Sequence, residues 1–133
     1  MACNDLAFLS AAETAQAIAT KQASPVDVVQ AYLSRIERLN GHLHAYITVL
    51  QDSALAAARQ AEQVLQRGGA LPRLFGVPMA VKDQFWTRGI LTTNGSRVYQ
   101  DFVPSEDATI VTRLKEAGAI ILGKLNLSEL AMG

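Results

Sequence analysis

The chain has 133 residues, of which half are hydrophobic and 18% are charged. That composition supplies enough apolar side chains for a packed core and excludes an intrinsically disordered chain. Twelve basic residues balance twelve acidic ones, so the charge gives no reason to expect a nucleic-acid partner or an anionic membrane surface. The length suits one domain or one part of a larger domain.

The N-terminus and the cysteine content bear on where the protein works. The first residues, MACNDLAFLSAAE, have no basic segment ahead of an apolar one, so no signal peptide is predicted. The apolar runs of the sequence are far shorter than a membrane span. Cys3 is the only cysteine, which excludes an internal disulfide and fits a reducing compartment. We therefore expect a cytoplasmic protein.

The first half of the chain predicts three helices and one short strand. Ser10 and Glu13 have the spacing of a capping box, in which each side chain satisfies a free amide at a helix start. Ser24 before Pro25 gives an N-cap followed by a proline at the first helical position. These two helices are predicted over residues 11–21 and 25–40. A β-branched strand is predicted over residues 45–50, and an alanine-rich helix over residues 53–69.

The second half predicts a strand, a long loop, a helix and another strand. VPMAVK (77–82) and AIILGK (119–124) are continuous apolar runs, typical of strands buried on both faces. A loop rich in Thr, Gly and Asn covers about 87–105, and Asp107 can cap a helix that Gly118 ends. A strand–helix–strand unit is right-handed and parallel. The predicted class is therefore α/β, with a mainly parallel sheet covered by helices.

Two lysines follow the apolar runs, Lys82 and Lys124. In open α/β sheets, binding and reacting groups gather at the C-terminal ends of strands. Desolvation there favours the neutral amine, which can act as a general base. The alternative is that each lysine marks the point where a strand reaches solvent. Spacing alone leaves both interpretations open.

Three blocks of the sequence together resemble the amidase signature family. They are LFGVPMAVKD, GILTTNGS and PSEDATIVTRLKEAGAIILGKLNLSELAMG, in the family's order and with its gaps. The segments LSAAETAQAI and SPVDVVQAYLSRIERLN resemble the family's lead-in helices more loosely. The resemblance implies the N-terminal part of an amidase-signature fold. Residues 1–69 would form the N-terminal helices with a short strand, and residues 70–133 the strand–helix–strand unit that carries the lysine motif.

The resemblance implies amide chemistry through a Ser-Ser-Lys triad, with no metal or cofactor. The family's lysine lies in the GVPxAVKD block, so the implied catalytic base is Lys82. A bridging serine, held by a cis peptide bond, links that lysine to a nucleophilic serine, and backbone amides stabilise the oxyanion. We therefore expect the Lys82 side chain to be substantially buried. Met132 matches a family position near the substrate pocket, although core packing explains it equally well.

The departures from the family pattern shape the functional prediction. Both triad serines lie in a Gly/Ser-rich segment after the AMG block, where this sequence ends at Gly133. Asn94 and Gln84 stand where the family often has alanine and asparagine. We expect a truncated amidase-type hydrolase or amidotransferase subunit, inactive alone, whose complete form acts on a small-molecule amide. The alternative is a non-catalytic fragment or assembly module that binds a partner chain.

The remaining polar candidates have structural explanations that we favour. Ser96 could pair with Lys82, but a turn serine bonding its own backbone is more common. Asp83 faces away from Lys82, since successive strand residues alternate, and is expected to hold a loop or a helix end. His42 and His44 lack a third ligand for zinc. An uncovered strand edge invites pairing, so self-association or a partner chain is expected there.

Overall fold

The structure is a computed structural model that describes residues 6–132. Cys3 and Gly133, on which two of the sequence arguments rest, lie outside the described residues. The helices and strands that lie wholly within this range are α1 Ala11–Ala19, α2 Pro25–Leu43, β1 Tyr46–Val49, α3 Gln51–Arg67, β2 Pro78–Lys82, α4 Thr109–Glu116 and β3 Ile120–Leu125.

The first two helices begin at the predicted caps. The Ser10 hydroxyl accepts a hydrogen bond from the Glu13 amide at 3.2 Å, and the Glu13 carboxylate accepts one from the Ser10 amide at 2.8 Å. The Ser24 hydroxyl accepts from the Val26 amide at 3.0 Å. Helix α2 continues past the predicted end and is capped by His44, whose φ of +49° is left-handed.

The prediction that Asp107 caps α4 is wrong. Ala108 occupies the N-cap position and makes no side-chain cap. The Asp107 carboxylate instead accepts hydrogen bonds from the Arg88 amide and the Lys115 ammonium, both at 2.7 Å. Partial burial acts to raise the pKa of Asp107, but these two donors outweigh it and hold the pKa below its usual value.

The sheet has the order β1-β3-β2, with β3 in the centre. β2 and β3 are parallel, as the predicted strand–helix–strand unit requires, and β1 is antiparallel to β3. The α/β class is confirmed, but the described sheet is mixed rather than mainly parallel, because β1 runs antiparallel to β3. β2 is an edge strand of the described sheet, so one side of it has no strand neighbour there.

Two hydrophobic clusters hold these elements together. One joins α2 and α3 to the central strand through Val29, Leu33, Ala54, Ala58, Ile120 and Leu122. The other lies among the N-terminal helices and includes Ile18, Val28 and Leu65. Where β3 pairs with β1, Gly123 is required because a Cβ there would overlap the Thr48 carbonyl oxygen. Among residues 6–132, no helix is both long and apolar enough to cross a membrane.

Candidate functional site

The C-terminal ends of β2 and β3 lie side by side and bring the two candidate lysines to one place. The strand register pairs Val81 with Lys124 and Lys82 with Leu125. Paired residues share a face of the sheet, and successive residues alternate between faces. Lys82 and Lys124 therefore project to opposite faces, although the sequence places both directly after an apolar run.

The Lys82 side chain is exposed. The prediction that it is substantially buried is wrong for the described chain. Val81, which projects to the other face, is buried, whereas Lys82 is the last residue of an edge strand and its side chain is exposed. The described residues therefore position the Lys82 backbone but leave its ammonium open to water.

Lys124 is the fully buried lysine of the site. Its Nζ lies 3.1 Å from Oδ1 of Asp83, and neither side chain is exposed. The same ammonium donates a hydrogen bond to the Thr92 hydroxyl at 2.7 Å. Burial lowers the pKa of Lys124, and the Asp83 carboxylate offsets this only in part. The interpretation that a lysine here marks the start of solvent is wrong for Lys124.

Asp83 connects β2 to the loop that follows it. Its Oδ2 accepts hydrogen bonds from the Thr93 amide at 2.8 Å and the Thr93 hydroxyl at 2.6 Å. Its backbone amide donates to the Leu125 carbonyl at 3.0 Å, and its carbonyl accepts from the Asn94 amide at 3.3 Å. The prediction that Asp83 holds a loop is confirmed. Its ion pair with Lys124 was not predicted, and the signal for it is that Val81, Asp83 and Lys124 all face the core.

Ser96 caps a short 3-10 helix over Arg97–Tyr99, as a turn serine does. Its hydroxyl accepts from the Val98 amide at 3.3 Å and donates to the Glu129 carboxylate at 2.7 Å. The turn interpretation is therefore confirmed. The bond to Glu129 was not foreseen, because it depends on how the segment after β3 folds back over the loop.

The remaining candidates lie away from this cluster. His42 is in the last turn of α2 and His44 caps that helix. Met132 is 75% exposed, so core packing does not explain it in the described chain. In the part of the chain that the structure describes, no group of three His, Cys, Asp or Glu side chains is placed to hold a metal ion.

Solved structures that are similar to this chain include amidases. The chain is similar to the peptide amidase from Stenotrophomonas maltophilia, with a TM-score of 0.85 and 35% identity over 95% of this chain and 26% of that one. It is also similar, at a TM-score of 0.87 and 34% identity, to a structure described as a vestigial protein complex that reveals the origins of an s-triazine catabolic enzyme, with 91% of this chain and 27% of that one covered. These likenesses confirm an amidase-signature fold.

Sequence comparison agrees with the fold. The family described as Amidase matches residues 27–133. A glutamyl-tRNA(Gln) amidotransferase subunit from Cutibacterium acnes is 48% identical over 130 residues, which are 98% of this chain and 26% of the relative. The corresponding protein from Geobacter sulfurreducens is 50% identical over 116 residues, 87% of this chain and 24% of the relative. The chain belongs to the amidase signature family, and it spans about a quarter of the length of these curated relatives.

Proposed function

We propose that this chain forms the N-terminal part of an amidase-type enzyme, a hydrolase or an amidotransferase subunit that cleaves carboxamide C–N bonds. In this proposal residues 1–69 form the N-terminal helices with a short strand, and residues 70–133 form the strand–helix–strand unit that carries the lysine motif. The observation that carries the proposal is Lys82, which stands at the C-terminal end of a parallel strand in the family's GVPxAVKD block. Its ammonium faces open space where further protein can cover it.

In the proposed mechanism Lys82 is the terminal proton acceptor. A nucleophilic serine forms a C–O bond to the amide carbon while its proton passes to a bridging serine, whose own proton passes to the neutral Lys82 amine. Collapse of the tetrahedral intermediate breaks the C–N bond, and the leaving amine takes a proton back. Both serines come from protein outside this sequence, and covering Lys82 supplies the desolvation that favours the neutral amine. We place the exposed Met132 on the substrate side.

A chimera tests whether this chain can do what its relatives' equivalent segment does. In the chimera, this chain would replace the matching quarter of the Cutibacterium acnes protein, which aligns with 98% of this chain. We expect the purified chimera, assembled as the parent is, to retain amide transfer to glutamyl-tRNA(Gln). A folded chimera without transfer, beside an active parent, would contradict the proposal.

A second candidate function, an assembly module that binds a partner chain, is favoured by the free edge of β2. Unpaired N–H and C=O groups on such an edge invite pairing with another strand. Exposed apolar side chains in the segment that follows β2, including Trp86 at 42% and Val98 at 83% exposure, add a contact surface. Both features are compatible with a protein that works beside another chain.

We therefore expect the isolated chain to self-associate through the β2 edge, with a mass by light scattering that rises with concentration. Ala80→Lys places a charge on that edge strand, on the face that it shares with the exposed Lys82, and is expected to restore the monomer. Val64→Lys is the matched control, since Val64 is 43% exposed on α3, away from the edge. A monodisperse monomer at every concentration would show that the edge does not pair.

A further inference from the structure

The buried ion pair behind the proposed base is costly in a place where an apolar side chain would pack well. Lys124 pairs with the buried Val81 and shares its face of the sheet, and its side chain has no exposure. Two charges lose their hydration on burial, and their attraction rarely repays that loss. A leucine or methionine at this position would avoid the loss. Core stability therefore does not account for Lys124 and Asp83.

The pair instead links three separate pieces of backbone. The Asp83 amide donates a hydrogen bond to the Leu125 carbonyl of β3, and the Asp83 carboxylate accepts hydrogen bonds from Thr93 in the loop. Lys124 bonds the same loop one residue earlier, through the Thr92 hydroxyl. The two charged side chains thus fix where β2 ends, how β3 runs beside it, and where the loop crosses both.

Lys82 is the residue whose direction depends most on this linkage. It lies between Val81 and Asp83 on an edge strand, so within the described sheet only β3 braces it. Rotation of the backbone at Lys82, which the contacts of Asp83 oppose, would swing the Lys82 side chain toward or away from the bridging serine of the proposed mechanism. Misplacement of a reacting group by about 1 Å can cost about 10²-fold in rate.

We propose that Asp83 and Lys124 are positioning residues that hold Lys82 in one direction from the opposite face of the sheet. The functional meaning rests on the proposed role of Lys82 as the base, whereas the mechanical claim concerns this chain alone. The two can therefore be tested separately.

Hydrogen exchange followed by mass spectrometry tests the mechanical claim on the whole chain. In the double variant Asp83→Asn/Lys124→Met both charges are removed together, so no unpaired charge is buried. We expect the exchange rate in the segment 82–94 to rise about tenfold, because the loss corresponds to the free energy of roughly one hydrogen bond. The exchange rates of α2 and α3 should change by less than about threefold.

Lys115 provides the matched control, because its side chain is 42% exposed and its ammonium also contacts a carboxylate, that of Asp107, at 2.7 Å. Lys115→Met keeps Asp107 and its hydrogen bond from the Arg88 amide, so it should leave exchange in segment 82–94 unchanged. Thr92→Val deletes the bond from Lys124, together with the hydroxyl's own bond to the Ile90 carbonyl, and leaves both charges in place. It should quicken exchange there about threefold and serves if the double variant does not fold. Unchanged exchange in segment 82–94, or an equal increase throughout the chain, would overturn the proposal.

The chimera separates this inference from the function on which it rests. There the double variant is expected to lower kcat about tenfold and leave KM within about twofold, because the direction of the base matters only to the chemical step. Equal losses in kcat and in the amount of folded protein would assign the pair a structural role alone. If Lys82→Ala leaves the chimera active, the proposed function fails, and the exchange result still decides the mechanical claim.

Discussion

Replacing Lys82 with alanine in the chimera is expected to lower kcat for amide transfer by about 10²- to 10⁴-fold, the range that one general base contributes. The variant removes the terminal proton acceptor and leaves the backbone of β2 in place. In the 133-residue chain, the same variant should change stability little, because the Lys82 side chain is exposed there and makes no hydrogen bond or ion pair within residues 6–132. Steady-state kinetics beside a denaturation curve would measure both.

Lys82→Arg sharpens this prediction. Arginine keeps the positive charge and much of the length but does not lose its proton in proteins. We expect it to be as inactive as Lys82→Ala if the lysine is a base, and largely active if only its charge matters. Lys115→Ala is the control at another exposed lysine and should retain the chimera's rate. Full activity in Lys82→Ala would refute the assignment of Lys82.

Replacing Lys124 with methionine is expected to cost about 3–5 kcal/mol of the free energy of unfolding, the usual penalty for leaving a buried charge without its partner. Asp83 would keep its bonds from Thr93 but lose the ammonium 3.1 Å from Oδ1. Urea denaturation of the 133-residue chain at neutral pH and fixed concentration would measure the loss. Such a loss is a large share of a small domain's stability.

The control for this measurement is Lys115→Met, whose partner Asp107 lies near the surface. The Lys115 side chain is 42% exposed, so we expect a loss below about 1 kcal/mol. Adding Asp83→Asn to Lys124→Met should recover much of the stability, because the unpaired carboxylate is then gone. A Lys124→Met chain as stable as the parent would show that the pair is not a desolvated ion pair.

Local sequence signals determined most of the elements. Ser10 and Ser24 cap their helices through bonds to amides two or three residues away, so the signal and its effect lie in the same few residues. The apolar runs before Lys82 and Lys124 likewise formed the strands β2 and β3 that their own residues predict. The three family blocks also pointed to the amidase signature family, which the comparisons show.

Tertiary structure alone decided which lysine is buried. Both lysines follow similar apolar runs, but the register of β2 on β3 turns Lys82 to the open face and Lys124 to the core. A shift of one residue would exchange these faces, because side chains alternate along a strand. No window of sequence around either lysine contains that register.

The same reason explains the partners of the buried charge. Thr92 and Asp83 are far from Lys124 along the chain, and they meet it only once the loop has crossed the strand ends. Asp107 was misassigned because its partners, Arg88 and Lys115, lie outside the helix start that its position suggests. By itself the sequence determined the elements, the family and the position of the candidate base. Which side chains face water, and which charges pair, depended on contacts between segments distant in sequence.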